Sequence, residues 1–269
     1  MELEFVMSMH ISEYQTLQVD FKNRYTTVTI NRPANNNTIN SQLLEELNSV
    51  IDISENDTSI VALVLQGGEE IFCAGMDFEE SISLPDDQID KLSSLYMSTL
   101  KRFSLSPLIV ISNLNGQVLA GGVGIVAASD LVIATPRSYF SLSEILWGLL
   151  PACVLPYLIR RVSFQAAYAM TLTSKTVHAD EANQINLIDI LTGNPQDEVR
   201  KLMIKLRRLD RRSILDAKLY FRKIWMLDES MELSAIKESS RLAVEPRVRR
   251  NIHNYVNKRV YPWDTQSEV

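Results

Sequence analysis

Residues 116–124 read GQVLAGGVG and stand between two short apolar runs, Leu108 to Ser112 and Leu131 to Ala134. The apolar runs predict buried strands, and the glycines let a ligand approach the backbone where a helix begins at Gly121. The first turn of such a helix leaves N–H groups without partners, and its dipole favours negative charge. The stretch therefore predicts either an anion-stabilising amide at Gly121 or close packing of the helix. It lacks the GxGxxG spacing of dinucleotide-binding turns, which disfavours a nicotinamide or flavin cofactor.

The order of apolar run, glycine turn and helix recurs along the first two thirds of the chain. A β-branched run covers residues 26–30, and a second run, Ile60 to Leu65, ends at Gly67. Amphipathic patterns predict helices over residues 41–53 and 88–103. Alternating strands and helices favour parallel pairing in an α/β fold. Ligands of such sheets bind at the carboxyl ends of the strands, so the glycine turns are candidate binding segments.

Residues 72–78, FCAGMDF, form a second glycine-containing turn. Ala74 and Gly75 are small enough to admit a substrate to the main chain, and Asp77 is placed to cap the helix that follows. An exposed N–H at Ala74 would be a natural donor to an oxyanion. An ordinary tight turn is the alternative interpretation.

Glu144 lies in the apolar segment FSLSEILWGLL, residues 140–150. Loss of water around a carboxylate raises its pKa toward the range that is useful in acid–base catalysis. A lone glutamate is otherwise most often solvated or paired. Trp147 and Trp263 are candidate walls of a substrate pocket, with ordinary core or interface packing as the alternative for both.

Composition and charge indicate a globular chain in two parts. Of the 269 residues, 46% are hydrophobic. Residues 1–195 carry 10 basic and 22 acidic side chains and residues 196–269 carry 17 and 11, so their net charges are −12 and +6. Helical patterns alone follow residue 195, for example over residues 199–209 and 214–226, which predicts a core domain and a helical subdomain. The basic excess suits an acidic or phosphate-bearing partner, or a solvated surface. The overall acidity, with a pI near 5.2, argues against nucleic acid.

Neither a membrane span nor an export signal is expected. The longest apolar stretch, Ile145 to Ile159, is interrupted by Gly148 and two prolines and is shorter than the roughly 20 residues that span a bilayer. The acidic start, Met1 to Glu4, lacks the basic and apolar regions of a signal peptide, so the expected location is the cytoplasm. No cluster of histidine, cysteine or aspartate suggests a metal site.

In this order and spacing, the features resemble the crotonase (enoyl-CoA hydratase/isomerase) superfamily over nearly the whole chain. Further matches are Asn31-Arg32-Pro33, Asp130, and the segments at residues 173–182 and 186–188. The resemblance implies a spiral core of stacked ββα turns, a C-terminal helical region that builds homotrimers or hexamers, and a thioester substrate without a cofactor. It also implies that the amides of Ala74 and Gly121 form the oxyanion hole.

One catalytic position departs from the family pattern. Typical hydratases carry two catalytic glutamates, and these fall on Gly124 and Glu144 of this chain. A single carboxylate can remove the proton next to the thioester and return it to the departing β-hydroxyl on the same face. This arrangement suits syn elimination through a stabilised enolate.

Other segments resemble more closely the dehydratases of polyketide β-branching cassettes. These are NNTIN at residues 36–40, FSLSE at 140–144, LPACVLP at 150–156, IRR at 159–161 and YPW at 261–263. That likeness implies removal of water from 3-hydroxy-3-methylglutaryl-acyl carrier protein to give 3-methylglutaconyl-acyl carrier protein. The decarboxylases of the same pathways lack a glutamate at the position of Glu144, which favours dehydration here.

Three other interpretations remain open. Cys73 or Cys153 could be a nucleophile, although His10, His178 and His253 lie in unrelated segments and offer neither thiol an obvious partner. The chain could be a generic enoyl-CoA hydratase or isomerase, or a catalytically silent scaffold. No arginine of the predicted site segments stands out as a partner for the distal carboxylate of the substrate.

Overall fold

The computed structural model describes residues 14–225 and 227–264, so residues 1–4, His10 and Met226 lie outside the described part. The β-strands of this part are β1 (Leu17–Lys22), β2 (Tyr25–Ile30), β3 (Ala62–Gln66), β4 (Ile71–Cys73), β5 (Ile109–Leu114), β6 (Gln117–Leu119), β7 (Leu131–Ala134), β8 (Tyr139–Ser141), β9 (Val177–His178) and β10 (Ile190–Leu191).

The α-helices of the same residues account for most of the remaining chain. They are α1 (Ser41–Asn56), α2 (Phe78–Ser83), α3 (Asp86–Leu105), α4 (Gly121–Ala128), α5 (Glu144–Trp147), α6 (Leu155–Val162), α7 (Phe164–Thr173), α8 (Ala179–Gln184), α9 (Pro195–Leu206), α10 (Arg211–Trp225), α11 (Glu229–Ala243) and α12 (Pro246–Lys258). Within the described ranges, no helix combines the length and the apolar character that a membrane span requires.

The strands form two sheets. A six-stranded sheet has the order β1-β2-β3-β5-β7-β10, and a four-stranded sheet has the order β4-β6-β8-β9. Pairing is antiparallel between β1 and β2 and between β8 and β9, and parallel at the other positions. The side chains of β3 from Ala62 to Leu65 are all buried, as expected for a central strand of a parallel sheet covered on both faces.

Three successive turns of chain repeat one pattern, which confirms the predicted α/β fold with stacked ββα turns. In each, the first strand enters the large sheet (β3, β5, β7), the second enters the small sheet (β4, β6, β8), and a helix follows (α2, α4, α5). The second strands could not be predicted from the sequence because each has only three residues, too few for a periodic pattern.

Local capping sets where two helices of the site region begin. The Asn40 side chain accepts a hydrogen bond from the Leu43 amide at 2.9 Å and starts α1. Asp77 accepts from the amides of Glu79 and Glu80 and starts α2, as predicted. Every residue of α4 is buried, so this glycine-led helix runs through the interior.

The C-terminal helices pack on the core of the same chain. Val199, Met203 and Leu206 of α9 join a buried cluster with side chains of the large sheet. Lys218 of α10 forms an ion pair with Asp130 at 2.5 Å, and burial lowers the pKa of this lysine. Part of the basic excess therefore pairs within the chain. Helix α9 begins at Pro195, while the division into two domains at that point stays a prediction.

Candidate active site

Two chambers meet beside the predicted site residues. The outer chamber, of about 590 Å³, is lined by Ala74, Leu119, Arg259 and aromatic side chains near the C-terminus. The inner chamber, of about 100 Å³, is lined mainly by side chains of α2, α3, α11 and α12 and by residues 149–154. The junction, shared by both chambers, consists of Met76, Phe78, Gly121, Glu144 and Leu149.

The glycine turn at residues 72–78 lies directly against the start of α4. Gly75 has a φ of +96°, and a Cβ added there would lie 2.8 Å from the Ala120 Cβ and 3.6 Å from the Gly121 amide nitrogen. Only glycine fits this conformation and this contact without strain. The structure thus brings together the two glycine segments that the sequence singled out.

A buried ion pair holds the turn in place. Arg32 Nη2 contacts Asp77 Oδ2 at 2.8 Å, and the Thr38 hydroxyl donates to the same oxygen at 3.1 Å. Burial alone would raise the pKa of Asp77. The hydrogen bonds that Asp77 accepts, above all from Arg32, together with the positive charge of Arg32, outweigh burial and lower that pKa. The Asn31-Arg32-Pro33 motif therefore supports the site from behind.

The amides of the turn differ in their hydrogen bonding. The Ala74 N–H donates to the Asn36 carbonyl oxygen at 3.2 Å, so the amide that the sequence predicted to be exposed is engaged. Met76 pairs in parallel with Ile39, and the bonds of this bridge run from the Ile39 amide to the Gly75 carbonyl and from the Asp77 amide to the Ile39 carbonyl. The N–H of Met76 consequently points away from Ile39. Sequence reasoning missed Met76, two residues after the alanine it selected.

Gly121 opens α4 at the junction. As the first residue of the helix, it has an N–H without a partner inside the helix. Its carbonyl oxygen accepts a hydrogen bond from the Tyr96 hydroxyl at 2.6 Å. The preceding Ala120 adopts φ 48° and ψ −121°, a conformation that costs a non-glycine residue free energy and that clusters at functional sites.

Glu144 is the first residue of α5 and the one carboxylate among the described residues that line the inner chamber. Its Oε2 is buried and has no hydrogen-bond partner in the described residues. Burial raises the pKa of Glu144 to about 7, partly offset by a hydrogen bond from its own backbone. The apolar sequence around Glu144 predicted this direction.

Tyr96 occupies the space beside Gly124, where the resemblance places the first glutamate of typical hydratases. A Cβ added at Gly124 would lie 2.0 Å from the Tyr96 hydroxyl oxygen and 3.0 Å from a Val154 methyl. No larger side chain fits there without displacing the tyrosine. Sequence reasoning missed Tyr96 because in the helical pattern of α3 it is one of several buried positions.

The cysteines and the described histidines are poor candidates for catalysis in this site. Burial raises the pKa of both Cys73 and Cys153 to about 12, so both thiols stay protonated at neutral pH. His178 and His253 are exposed, and neither lines the two chambers. These observations oppose a thiol mechanism.

An aromatic cluster forms one wall of the outer chamber. The Trp147 ring lies 4.9 Å from Phe78, 5.1 Å from Tyr255 and 5.8 Å from Trp263, measured between centroids. Tyr261 stacks on Trp263 at 4.8 Å. Both tryptophans therefore line the site, on the outer side rather than around the inner chamber.

Comparison with known proteins agrees with this architecture. Residues 20–266 match the sequence profile of a family described as enoyl-CoA hydratase/isomerase. The chain belongs to this family. Among curated relatives of the enoyl-CoA hydratase/isomerase family, the bacillaene synthase dehydratase PksH of Bacillus subtilis is 36% identical over 96% of this chain and 100% of its own. The short-chain-enoyl-CoA hydratase of Clostridium acetobutylicum is 32% identical over 66% of this chain and 69% of its own.

Solved structures of the family share the fold. A crystal structure described as a putative polyketide biosynthesis enoyl-CoA hydratase, PksH, from Bacillus subtilis has a TM-score of 0.84 and 34% identity, covering 91% of this chain and 98% of its own. An enoyl-CoA hydratase from Mycobacterium avium has a TM-score of 0.81 and 25% identity, covering 93% and 99%. The recognition of the crotonase superfamily from sequence is confirmed.

Proposed function

We propose that this protein is a dehydratase that removes water from 3-hydroxy-3-methylglutaryl-acyl carrier protein and forms 3-methylglutaconyl-acyl carrier protein in polyketide β-branching. The observation that carries the proposal is the single carboxylate, Glu144, at the junction, with Tyr96 filling the place of a second one. Similarity to the bacillaene synthase dehydratase over 96% of the chain supports the same reaction class.

In the proposed reaction, Glu144 works alone as base and then as acid. Its carboxylate removes a proton from the carbon next to the thioester, and the electrons move onto the thioester oxygen. The N–H groups of Met76 and Gly121 hold that oxyanion, in place of the predicted pair of Ala74 and Gly121, because the Ala74 N–H is engaged with Asn36. The enolate then expels the β-hydroxyl, which leaves as water with the proton from Glu144.

The ionisation of Glu144 suits both steps. With its pKa raised to about 7 by burial, the carboxyl is present in both protonation states near neutral pH. A group with such a pKa combines an adequate base with an adequate acid. A solvated glutamate, with a pKa near 4.3, would be a weaker base.

The outer chamber suits the thioester arm of the substrate. Its volume of about 590 Å³ and its aromatic wall can accommodate a phosphopantetheine chain.

The net charge of +6 in residues 196–269 favours an acidic carrier protein over an uncharged partner. We place the reaction in the cytoplasm. We also propose a homotrimer or hexamer, since Phe164 and Tyr168 of α7 and Tyr220 and Phe221 of α10 expose apolar surface.

Replacement of the carboxylate tests the proposal. We expect Glu144→Gln to lower the dehydration rate of the carrier-bound substrate by about 10²- to 10⁴-fold, because no other group replaces the proton transfer. Intact-mass spectrometry of the acyl carrier protein measures the loss of one water. Glu69→Gln, which alters an exposed glutamate outside both chambers, is the matched control and should retain activity. Near-normal turnover by Glu144→Gln would contradict the assignment.

The same experiment separates the other candidate functions. Faster turnover of the CoA thioester than of the carrier-bound substrate would favour a generic enoyl-CoA hydratase, which the Clostridium acetobutylicum relative represents. Loss of carbon dioxide would indicate a decarboxylase. No change in any acyl thioester would favour the interpretation that the protein is a catalytically silent scaffold.

A further inference from the structure

The inner chamber contains one permanent positive charge. Among the described residues that line it, Arg249 is the only lysine, arginine or histidine, and Glu144 is the only acid. Apolar side chains such as Ile89, Leu92 and Ile252 form much of the remaining wall. The Arg249 side chain is 31% exposed, so water reaches part of the guanidinium. The apolar wall keeps water from the rest and strengthens its attraction to an anion inside the chamber.

The guanidinium of Arg249 is held at one nitrogen only. Its Nη2 contacts Asp86 at 2.6 Å and donates to the Leu84 carbonyl oxygen at 3.3 Å. Its Nε is buried without a hydrogen-bond partner in the described residues, and its Nη1 donates no hydrogen bond within them. The Asp86 side chain is 72% exposed, so water screens this ion pair and weakens it.

These contacts leave the guanidinium of Arg249, a residue that lines the inner chamber, incompletely paired. A buried donor without an acceptor is costly, and a charged donor more so. A ligand that brings an anionic oxygen into the inner chamber would satisfy the free N–H groups. A ligand with a hydrocarbon end would leave them unpaired and would be rejected for that reason.

We propose that Arg249 determines substrate specificity by binding a carboxylate at the distal end of the acyl group, which would lie in the inner chamber. The inference rests on the proposed function for the identity of the reacting acyl group and names the residue that selects it. It assigns the thioester end of the substrate to the junction and the anionic end to α12. Guanidinium groups bind carboxylates through charge-assisted, often bidentate hydrogen bonds, which a lysine cannot reproduce in full.

Sequence reasoning had no signal for this role. Arg249 lies far along the chain from Glu144, among Arg247, Arg250 and other basic residues that together resemble a solvated helix surface. Packing of α12 against α2 turns this one arginine of the group toward the inner chamber.

A purely structural role would also explain the contacts of Arg249, because they connect α12 to Leu84, between α2 and α3, and to Asp86, the first residue of α3. Asp86→Asn separates the two roles. This substitution removes the ion-pair partner of Arg249 while keeping the arginine, and Asp86 does not line either chamber. If Arg249 is only structural, Asp86→Asn and Arg249→Gln should cause similar defects. If Arg249 binds the substrate, their defects should differ.

The experiment compares two carrier-bound substrates that differ at the distal end only. These are the 3-hydroxy-3-methylglutaryl thioester and the 3-hydroxy-3-methylpentanoyl thioester, in which a methyl group replaces the carboxylate. We expect Arg249→Gln to lower kcat/KM for the carboxylated substrate by about 10- to 100-fold, the loss expected for a charged hydrogen bond, and to change the neutral one by less than about 2-fold. Arg249→Lys should recover part of the loss, and Asp86→Asn should keep the wild-type preference.

Equal losses for both substrates in Arg249→Gln, or a selective loss in Asp86→Asn, would overturn the proposal. A binding measurement keeps it separate from the proposed reaction. The Glu144→Gln protein, with and without Arg249→Gln, is titrated calorimetrically with the same two thioesters. Tighter binding of the carboxylated thioester that depends on Arg249 supports the inference even if no water is lost in turnover assays. Equal affinities for the two thioesters overturn it even if dehydration is observed.

Discussion

The outer and inner chambers share a junction but differ in almost every other property. The outer chamber is about 590 Å³, with polar residues, aromatic residues and Arg259 on its walls. The inner chamber is about 100 Å³, with mainly apolar walls and the two charged groups Glu144 and Arg249. The difference indicates that the two chambers have separate roles in substrate binding. The outer chamber has room for the arm that all thioester substrates share, whereas the inner chamber can discriminate between acyl groups and controls the ionisation of Glu144.

The pH profile tests whether Glu144 is shielded from water, as expected for a residue of the inner chamber. Burial raises the pKa of this carboxyl to about 7, and the base is the ionised form. We therefore expect kcat/KM to rise with pH and to reach a plateau above an apparent pKa near 7. At two pH units below that pKa, kcat/KM should be about 100-fold lower than on the plateau. Initial rates between pH 3.5 and 9 measure the profile. A midpoint near 4.3, as in a solvated glutamate, would show that the outer chamber's water reaches the carboxylate.

Gly124 tests how tightly the inner side is packed. We expect Gly124→Ala to lower the free energy of unfolding by about 1–3 kcal/mol, because the new Cβ would lie 2.0 Å from the Tyr96 hydroxyl oxygen. Helix propensity alone would favour alanine by about 1 kcal/mol, so a loss identifies the clash. Urea denaturation measures the change.

Tyr96→Phe provides the matched background for this substitution. It removes the hydroxyl, and the next atom of the ring would lie 3.2 Å from the added Cβ. Gly124→Ala should therefore cost less in Tyr96→Phe than in the wild-type protein. Equal costs in the two backgrounds would contradict the steric explanation, since independent substitutions are additive.

Trp263 tests the outer chamber, where the smallest effect is expected. Trp263→Ala removes a ring that stacks on Tyr261 and contacts Trp147. We expect KM for the carrier-bound substrate to rise by about 2- to 10-fold with little change in kcat, because contacts with the arm are the same in the ground and transition states. An N-acetylcysteamine thioester, which lacks most of the arm, should show no such rise. A fall in kcat with either substrate would place Trp263 closer to the reacting atoms than the structure does.

Much of the fold could be predicted because its signals are local. The apolar run at residues 131–134 coincides with β7, and Asn40 and Asp77 cap the helices expected after them. The strands β4, β6 and β8 were missed, since three residues hold no periodic pattern and depend on pairing with one another.

The structure brings together the segments that the sequence selected, while their catalytic roles stay predictions. The sequence identified Glu144, Gly121 and the glycine turn, because apolar context and glycine spacing have direct chemical meaning. It selected Ala74 as the exposed amide, although the hydrogen bond to Asn36 engages that N–H. Which amide of a turn is free depends on the strand opposite it, and that strand is not adjacent in sequence.

By itself, the sequence determined the class of fold, the family and the presence of a glutamate in apolar surroundings, since apolar runs, glycine turns and the neighbours of a side chain are local features of a few residues. The tertiary structure alone decided three features: the orientation of the Met76 N–H, the position of Tyr96 beside Gly124, and the entry of Arg249 into the inner chamber. Each depends on a contact between segments that are distant in the chain. Packing brings those segments together, and no local pattern records which side chain then faces the site.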